Sequence, residues 1–419
     1  MSGAGPSTGP SRLAVASWVT YDLANTIFAL GVIGLYFSDW LVSEGHPDSY
    51  LAGVQVTAAA VVIFLAPWAG ARSDVLGRRV PTLAVTTVLA VVATALLARG
   101  PVWLTLVALW VAVVSVNTGS VVYDALLADV SHEGNRGRIS GLGVGVGYLG
   151  SFVGLGLGLL ALDVLGWDYA GVFGLLAAAF LVFALPAFLF IEERPRRADE
   201  PVPSIGEIAA RLVRSWQKAR RYEDVVPFLV GRFLYTDAIN TLIGGFLAIF
   251  VLDELELDRG FFTALMGVAI TAAVIGGLGS GPLIERYGPL RVLRVVLLAW
   301  VAAIAAGVVA AVTGAVVFAW VIGPVGGLAL GATWSADRVV MLRVSPPRHL
   351  GEFYGLYATV GRFATILGPL VWALIVDVAG LSRNVAMAAL GLFVLAGWLV
   401  LGRVDDRVRA WGESEQVTT

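Results

Sequence analysis

Seven ionisable residues set well inside long apolar stretches of this chain are candidates for a site: Asp22, Asp124, Arg232, Asp237, Asp337, Arg338 and Arg362. Each such residue costs at least about 2.5–3.5 kcal/mol at the centre of a membrane helix, so they usually face a bundle interior or an aqueous cavity. Four are acids and three are arginines. One chemistry they could do is proton coupling, since a desolvated carboxylate beside a movable partner can take up and release a proton. The bland alternative is a set of fixed ion pairs, Asp337 with Arg362 or Asp237 with Arg338. For a single residue the two readings stand level; for the set, a working polar site is favoured. Tyr21, Asn25, Tyr123, Asn240 and Trp334 are placed to add hydrogen bonds and an aromatic wall. A zwitterionic solute would suit this mixture, with Arg338 or Arg362 meeting a carboxylate and an aspartate meeting an amine.

The elements that must position these residues are membrane helices. Of the 419 residues 58% are hydrophobic and 14% are charged, and the mean hydropathy is +0.84. A soluble domain carries about 25% charged residues. Apolar blocks of 18 or more residues match the thickness of a bilayer core. Spans are expected at 13–42, 49–70, 80–98, 102–130, 139–163 and 168–191, then at 225–252, 260–284, 292–313, 315–344, 352–379 and 383–403. The formal net charge of −2 argues against nucleic acid, which demands a concentrated positive field. Cysteine is absent and the three histidines (His46, His132, His349) fall in expected loops, so no metal centre and no cofactor are expected.

Orientation follows from arginine. With the N-terminus inside, the inner loops hold Arg72, Arg78, Arg79, Arg136, Arg138, the cluster from Arg194 to Arg221, and Arg286, Arg291, Arg294, Arg343, Arg348 and Arg403. The outer loops hold only Arg99, Arg259 and Arg383. This asymmetry places both termini in the cytoplasm. The domain plan is a disordered tail at 1–12, a six-helix bundle at 13–191, a cytoplasmic linker at 192–224, a second bundle at 225–403 and a tail at 404–419. Within the linker, Ile208, Leu212, Val213 and Trp216 alternate with basic residues, the pattern of a helix lying on the inner membrane surface.

The chain repeats itself. YDLANT at 21–26 returns as YTDAINT at 235–241, and GARSDVLGRR at 70–79 is echoed by GPLIERYGPLR at 281–291. The offsets stay at about 211 to 215 residues, so the halves are in step. A duplication with one orientation implies a pseudo-twofold axis along the membrane normal, and such folds place substrate near the midplane between halves. At 1.5 Å per residue, Asp22 and Asp237 lie roughly 14–18 Å into their helices, and Asp124 and Asp337 roughly 9–11 Å from the ends of theirs. All four therefore reach the inner half or the midplane.

Gly70-x-x-x-Asp74-x-x-Gly77-Arg78-Arg79, in the loop after the second span, resembles the signature of the major facilitator superfamily. The resemblance implies an all-α membrane fold of twelve transmembrane helices, in two six-helix bundles that rock about a cavity lined by the first, fourth, seventh and tenth helices. It also implies a cytoplasmic gate, with Asp74, Arg78, Asp129 and the neighbouring Arg79, Arg136 and Glu285 latching helix ends. A narrower likeness rests on Trp18-x-x-Tyr21-Asp22-x-Ala24-Asn25-Thr26, Tyr123-Asp124-Ala125-Leu126-Leu127, Tyr235-x-Asp237-x-x-Asn240-Thr241 and Gly351-Glu352-Phe353-Tyr354-Gly355-Leu356-Tyr357. Together these look like the vacuole-effluxer branch, which implies an amino-acid-like solute. Leu23 and the charged run Trp334-Ser335-Ala336-Asp337-Arg338 depart from that branch where specificity would be set.

Eight glycines between Gly141 and Gly158 on the fifth span permit close helix packing, favoured here over an antiporter signature because the usual proline is missing. No nucleophile–base pair and no phosphate-binding loop occurs, so an enzyme is not expected and energy would come from a gradient. The expected function is a secondary carrier for a small polar or zwitterionic solute, working by alternating access with protons as the candidate coupling ion. A lipid or lysolipid flippase of the same fold, or a membrane sensor that does not transport, stands as the alternative. The expected partners are the solute, protons and membrane lipids, for a single copy in a bacterial cytoplasmic membrane.

Overall fold

The computed structural model describes residues 11–131, 136–193, 204–346 and 349–407. Every regular element among them is helical. Among the described residues, eleven helices are long and apolar enough to cross a membrane, from Arg12–Ser43 to Arg383–Leu401. Val80–Ala95, with 16 residues, is a shorter apolar helix where the third span was expected. Spans are numbered below with this helix as the third.

The chain divides into two compact units. Unit 1 is Met1–Phe37 with Val61–Ile208, and unit 2 is Ser38–Ala60 with Ala209–Thr419. In unit 1 the first span packs on the fifth and sixth, and the third packs on the fourth and sixth. The fifth-span glycines explain the first of these seats. A Cβ at Gly143 would meet the Trp18 ring at 2.6 Å, at Gly147 the Asp22 carboxylate at 2.6 Å, and at Gly154 the backbone of Gly31 at 3.2 Å. Gly145 and Gly156 face open space. The contacting glycines lie on one stripe of the helix, as close packing through small residues requires.

In unit 2 close packing through glycine falls on a different pair of spans. The eighth span, Arg259–Tyr287, packs on the tenth, where Gly327 and Gly331 lie against the carbonyls of Ala269 and Ala273. The seventh span packs on the twelfth. Two helices of this unit are interrupted. The seventh loses helical geometry at Gly244 and Gly245, the latter at φ 110°, a conformation that side chains rarely allow. The eleventh, expected as one run over 352–379, is instead a helix to Phe363 and another from Leu367, with a turn over 364–366. The linker helix Ile205–Ala219 is strongly amphipathic, with Ile208 and Ala219 buried and Arg211, Val213 and Arg214 exposed.

Candidate functional site

The residues singled out in the sequence fall into two clusters, one in each unit. In unit 1, Trp18 stacks on Tyr123 with ring centroids 4.7 Å apart, and Tyr21 stacks on the same ring at 5.0 Å. The Trp18 indole N–H donates to the Tyr123 carbonyl at 3.1 Å, and the Tyr123 hydroxyl donates back to the Trp18 carbonyl at 3.2 Å. The Tyr21 hydroxyl bonds to the Thr87 hydroxyl at 2.7 Å. Tyr21 and Tyr123 therefore brace the first span on the third and fourth. Asp22 and Asn25, one and four residues on from Tyr21, are half-buried, and Asp124 is exposed.

In unit 2 the corresponding brace is ionic. Arg232 stands three residues before Tyr235, as Trp18 stands three before Tyr21. Its Nε donates to Asp337 Oδ2 at 3.1 Å, one Nη donates to the Tyr357 carbonyl at 3.0 Å, and the guanidinium lies 3.6 Å from the Tyr357 ring centroid. The Tyr357 hydroxyl donates to the other Asp337 oxygen at 2.9 Å. Asp337 thus takes Arg232 rather than the expected Arg362. A buried carboxylate held by a guanidinium and a phenol is satisfied on both oxygens, the condition under which such a pair is tolerated.

Asp237 does not take Arg338 either. Its carboxylate accepts the amide N–H of Gly368 at 2.5 Å, with the amides of Ile366 and Leu367 turned toward it. Three residues on, the Asn240 amide donates to the carbonyl of Ala364 at 2.8 Å. The two side chains therefore bridge the break in the eleventh span, one serving the N–H groups of its second piece and the other a carbonyl beside its first. Helix ends buried away from water demand such partners. Arg338 is exposed, and Trp334 and Arg362 are half-buried.

The expected gate residues of unit 1 lie around the turn between the second and third spans. A Cβ at Gly70 would meet Val121 at 3.2 Å, and Gly77 turns the chain at φ 62°. Arg79, rather than Arg78, reaches Asp129 at 3.3 Å and also donates to the Ala125 carbonyl at 2.7 Å. Arg78 is exposed, as is Glu285 in unit 2. The side chains of Asp74 and Arg136 lie outside the described residues.

Two carboxylates at helix ends escaped sequence reasoning. Glu193 accepts the amides of Arg79 and Val80 at 2.6 and 2.5 Å, capping the third span. In unit 2, Asp406 accepts the amide of Leu290 at 3.0 Å and pairs with Arg343 at 3.5 Å. Both follow the last helix of their half and serve the start of the same relative helix. Their spacing of 213 residues matches the repeat, and that was the signal available.

A multi-spanning helical protein with buried ion pairs, broken helices and a Gly/Asp/Arg turn echoed as Gly/Glu/Arg has the build of a membrane carrier. The profile of the Major Facilitator Superfamily matches residues 20–369 and 236–416. The chain belongs to that superfamily, whose members carry solutes rather than catalyse reactions. It is 25% identical over 410 residues, covering 93% of this chain and 94% of the relative, to an uncharacterized MFS-type transporter, YxiO, of Bacillus subtilis. It is 25% identical over 340 residues to autophagy-related protein 22 of Yarrowia lipolytica, covering 73% of this chain and 56% of that protein. The chain spans about half the length of such fungal relatives. Among solved structures it resembles the nucleoside transporter NupG, with a TM-score of 0.70 at 10% identity over 94% of this chain and 98% of that one. It also resembles a bacterial homolog of the human lysosomal transporter Spinster, with a TM-score of 0.68 at 15% identity over 96% and 98%. These two likenesses are of fold.

Proposed function

We propose that this chain is a secondary carrier for a small zwitterionic, amino-acid-like solute, built as two six-helix bundles (13–191 and 225–403) and working by alternating access. The observation that carries the reading is the sign of the less deeply buried charge within apolar spans. Unit 1 offers acids there, Asp22 and Asp124, and unit 2 offers the guanidinium groups of Arg338 and Arg362. A solute bearing one amine and one carboxylate has a partner for each of its charges. Asp237, Asp337 and Arg232 hold the backbone and helices of unit 2. The likeness to the autophagy-related protein 22 relatives and the repeated Tyr/Asp/Asn signature support placement in the vacuole-effluxer branch. Proton coupling through Asp22 or Asp124 and a cytoplasmic position for both termini complete the proposal.

The test is a thermal-shift screen of purified protein against amino acids, peptides, sugars and lysolipids, followed by flux of the hit in proteoliposomes under a pH jump. A zwitterion is expected to raise the melting temperature. Asp22→Asn and Arg338→Ala are each expected to weaken that binding at least about tenfold in concentration, equivalent to about 1.4 kcal/mol. Stabilisation by lysolipid alone would replace the reading with a flippase. A stabilising ligand with no flux would make the protein a sensor. Wild-type flux in both variants would remove the zwitterion site.

A further inference from the structure

At the end of unit 2 that the arginines assign to the cytoplasm, the ninth span, Pro289–Thr313, packs on the twelfth, Arg383–Leu401. Arg291 and Arg294 lie in the first two turns of the ninth, and Arg403 follows the twelfth. Among the described residues none of these three arginines pairs with a carboxylate. The Arg294 guanidinium instead lies 4.5 Å from the centroid of the Trp398 ring. One of its Nη atoms stands 3.7 Å from where a Cβ on Gly402 would be, so it reaches the end of the twelfth span beside Arg403. The Arg294 Nε and the indole nitrogen of Trp398 are both covered, and neither has a hydrogen-bond acceptor. Covered N–H groups in proteins are nearly always served, so two orphaned donors in one stacked pair call for an acceptor from outside the chain. The carboxylates of this end are engaged elsewhere. Asp406 takes the Leu290 amide at 3.0 Å and Arg343 at 3.5 Å, and Asp405 takes Arg407 at 3.7 Å.

We propose that Arg294 and Trp398, with Arg291 and Arg403 beside them, bind the phosphate of an anionic phospholipid whose acyl chain lies along the ninth span. A guanidinium stacked on an indole holds its planar fork ready for two phosphate oxygens. Basic pockets between spans at this membrane face suit lipid headgroups of net negative charge. A choline headgroup fits poorly, because its own cation would meet arginines and no free carboxylate. The depth is right as well. Arg294 stands roughly 7–8 Å into its helix and Trp398 roughly 4–5 Å from the end of its own, the level at which arginine snorkels and tryptophan sits in the interface. A lipid rather than a free anion is favoured by what continues from Arg291. Val295, Leu298, Ala302 and Ala305 follow it at spacings of four and three, one exposed stripe down the helix. Val295 is 62% exposed and Leu298 44%, while Ala302 and Ala305 keep the stripe low enough to seat a chain. The site belongs to unit 2 alone, since 213 residues before Arg294 and Trp398 stand Pro81 and Leu185.

The test follows the melting temperature of delipidated protein in detergent during titration with phosphatidylglycerol, phosphatidylcholine or inorganic phosphate. Phosphatidylglycerol is expected to raise it, and the other two are not. Arg294→Gln is expected to need about tenfold more phosphatidylglycerol for half the rise, and Trp398→Phe, which keeps a ring and loses the N–H, about threefold more. Arg211→Gln removes the same charge from the exposed face of the linker helix and is expected to titrate as wild type. Curves for wild type and Arg294→Gln that coincide within about twofold would overturn the site. Equal weakening by Arg211→Gln would do the same, as the mark of diffuse attraction. An equal rise with inorganic phosphate would make this a free-anion site, and an equal rise with phosphatidylcholine would remove the demand for net charge; either result ends the proposal. If Arg294→Gln does not elute as a single peak, Arg294→Lys, which keeps the charge and loses the fork, is read in its place and is expected to weaken binding. Asp22→Asn is expected to leave the lipid titration unchanged. Weakening there without weakening in Arg294→Gln would make the lipid a transported cargo and would also refute the site.

Discussion

Trp18 and Arg232 occupy one place in the two halves and do one job by different physics. The indole braces by stacking and an exchange of hydrogen bonds with Tyr123, the guanidinium by charge and a ring face. The same substitution of means appears at Asp237, which reads in sequence as a buried carboxylate awaiting a cation and in fact serves backbone amides. That distinction gives a prediction. Asp237→Asn keeps an acceptor for the Gly368 amide and is expected to unfold within a few degrees of wild type. Asp237→Leu strands the amide and is expected to cost about 1–3 kcal/mol. Thermal unfolding in detergent measures both, and equal loss in the two variants would return Asp237 to an ionic role.

At the scale of elements, the fifth-span glycines define a contact stripe that can be tested by contrast. A Cβ at Gly150 would run into the carbonyl of Leu23, a backbone group with nowhere to move, while one at Gly145 meets nothing. Gly150→Ala is therefore expected to destabilise by about 1–3 kcal/mol, the usual cost of overpacking, and Gly145→Ala to leave the melting curve unchanged. Comparable shifts in both would show that the stripe is not a close contact. This stripe was legible in the sequence because small residues at helical spacing have one common use. Long apolar runs were legible for the same reason, to within a few residues of Arg12–Ser43 or Arg383–Leu401. The break at 364–366 was missed although Gly368-Pro369, in the first turn of the second piece, carries the signal of a helix start. Thr365 and Ile366 read as ordinary helix, and only distant Asp237 and Asn240 make the interruption tolerable. Likewise, apolar flanks mark which charges lie within spans but neither their burial, since Asp124 and Arg338 are exposed, nor their partners, since Arg232, Arg338 and Arg362 are equal candidates until the helices are placed.

At the scale of the molecule, positions about one repeat apart in the sequence serve similar ends with different side chains. Glu193 and Asp406 are the clearest case, each a carboxylate just past the last helix of its half that accepts amides at the start of another. Replacing Glu193 by alanine is expected to cost about 0.5–2 kcal/mol, the range for loss of an N-terminal cap. Proteolysis in the turn before Val80 would report it, and an unchanged cleavage rate would count against the cap.

The same carboxylate bears on how the chain is made. Val80–Ala95 is the shortest of the apolar helices expected to span, and its cap comes from a residue 113 positions later. During synthesis that helix must wait, its first amides unserved, until the sixth span has left the ribosome and brought Glu193 back to it. The third helix is therefore expected to gain its cap only once the sixth span and Glu193 are in place. A nascent chain arrested before residue 193 should leave the third helix open to extraction, and one arrested a few dozen residues later should not.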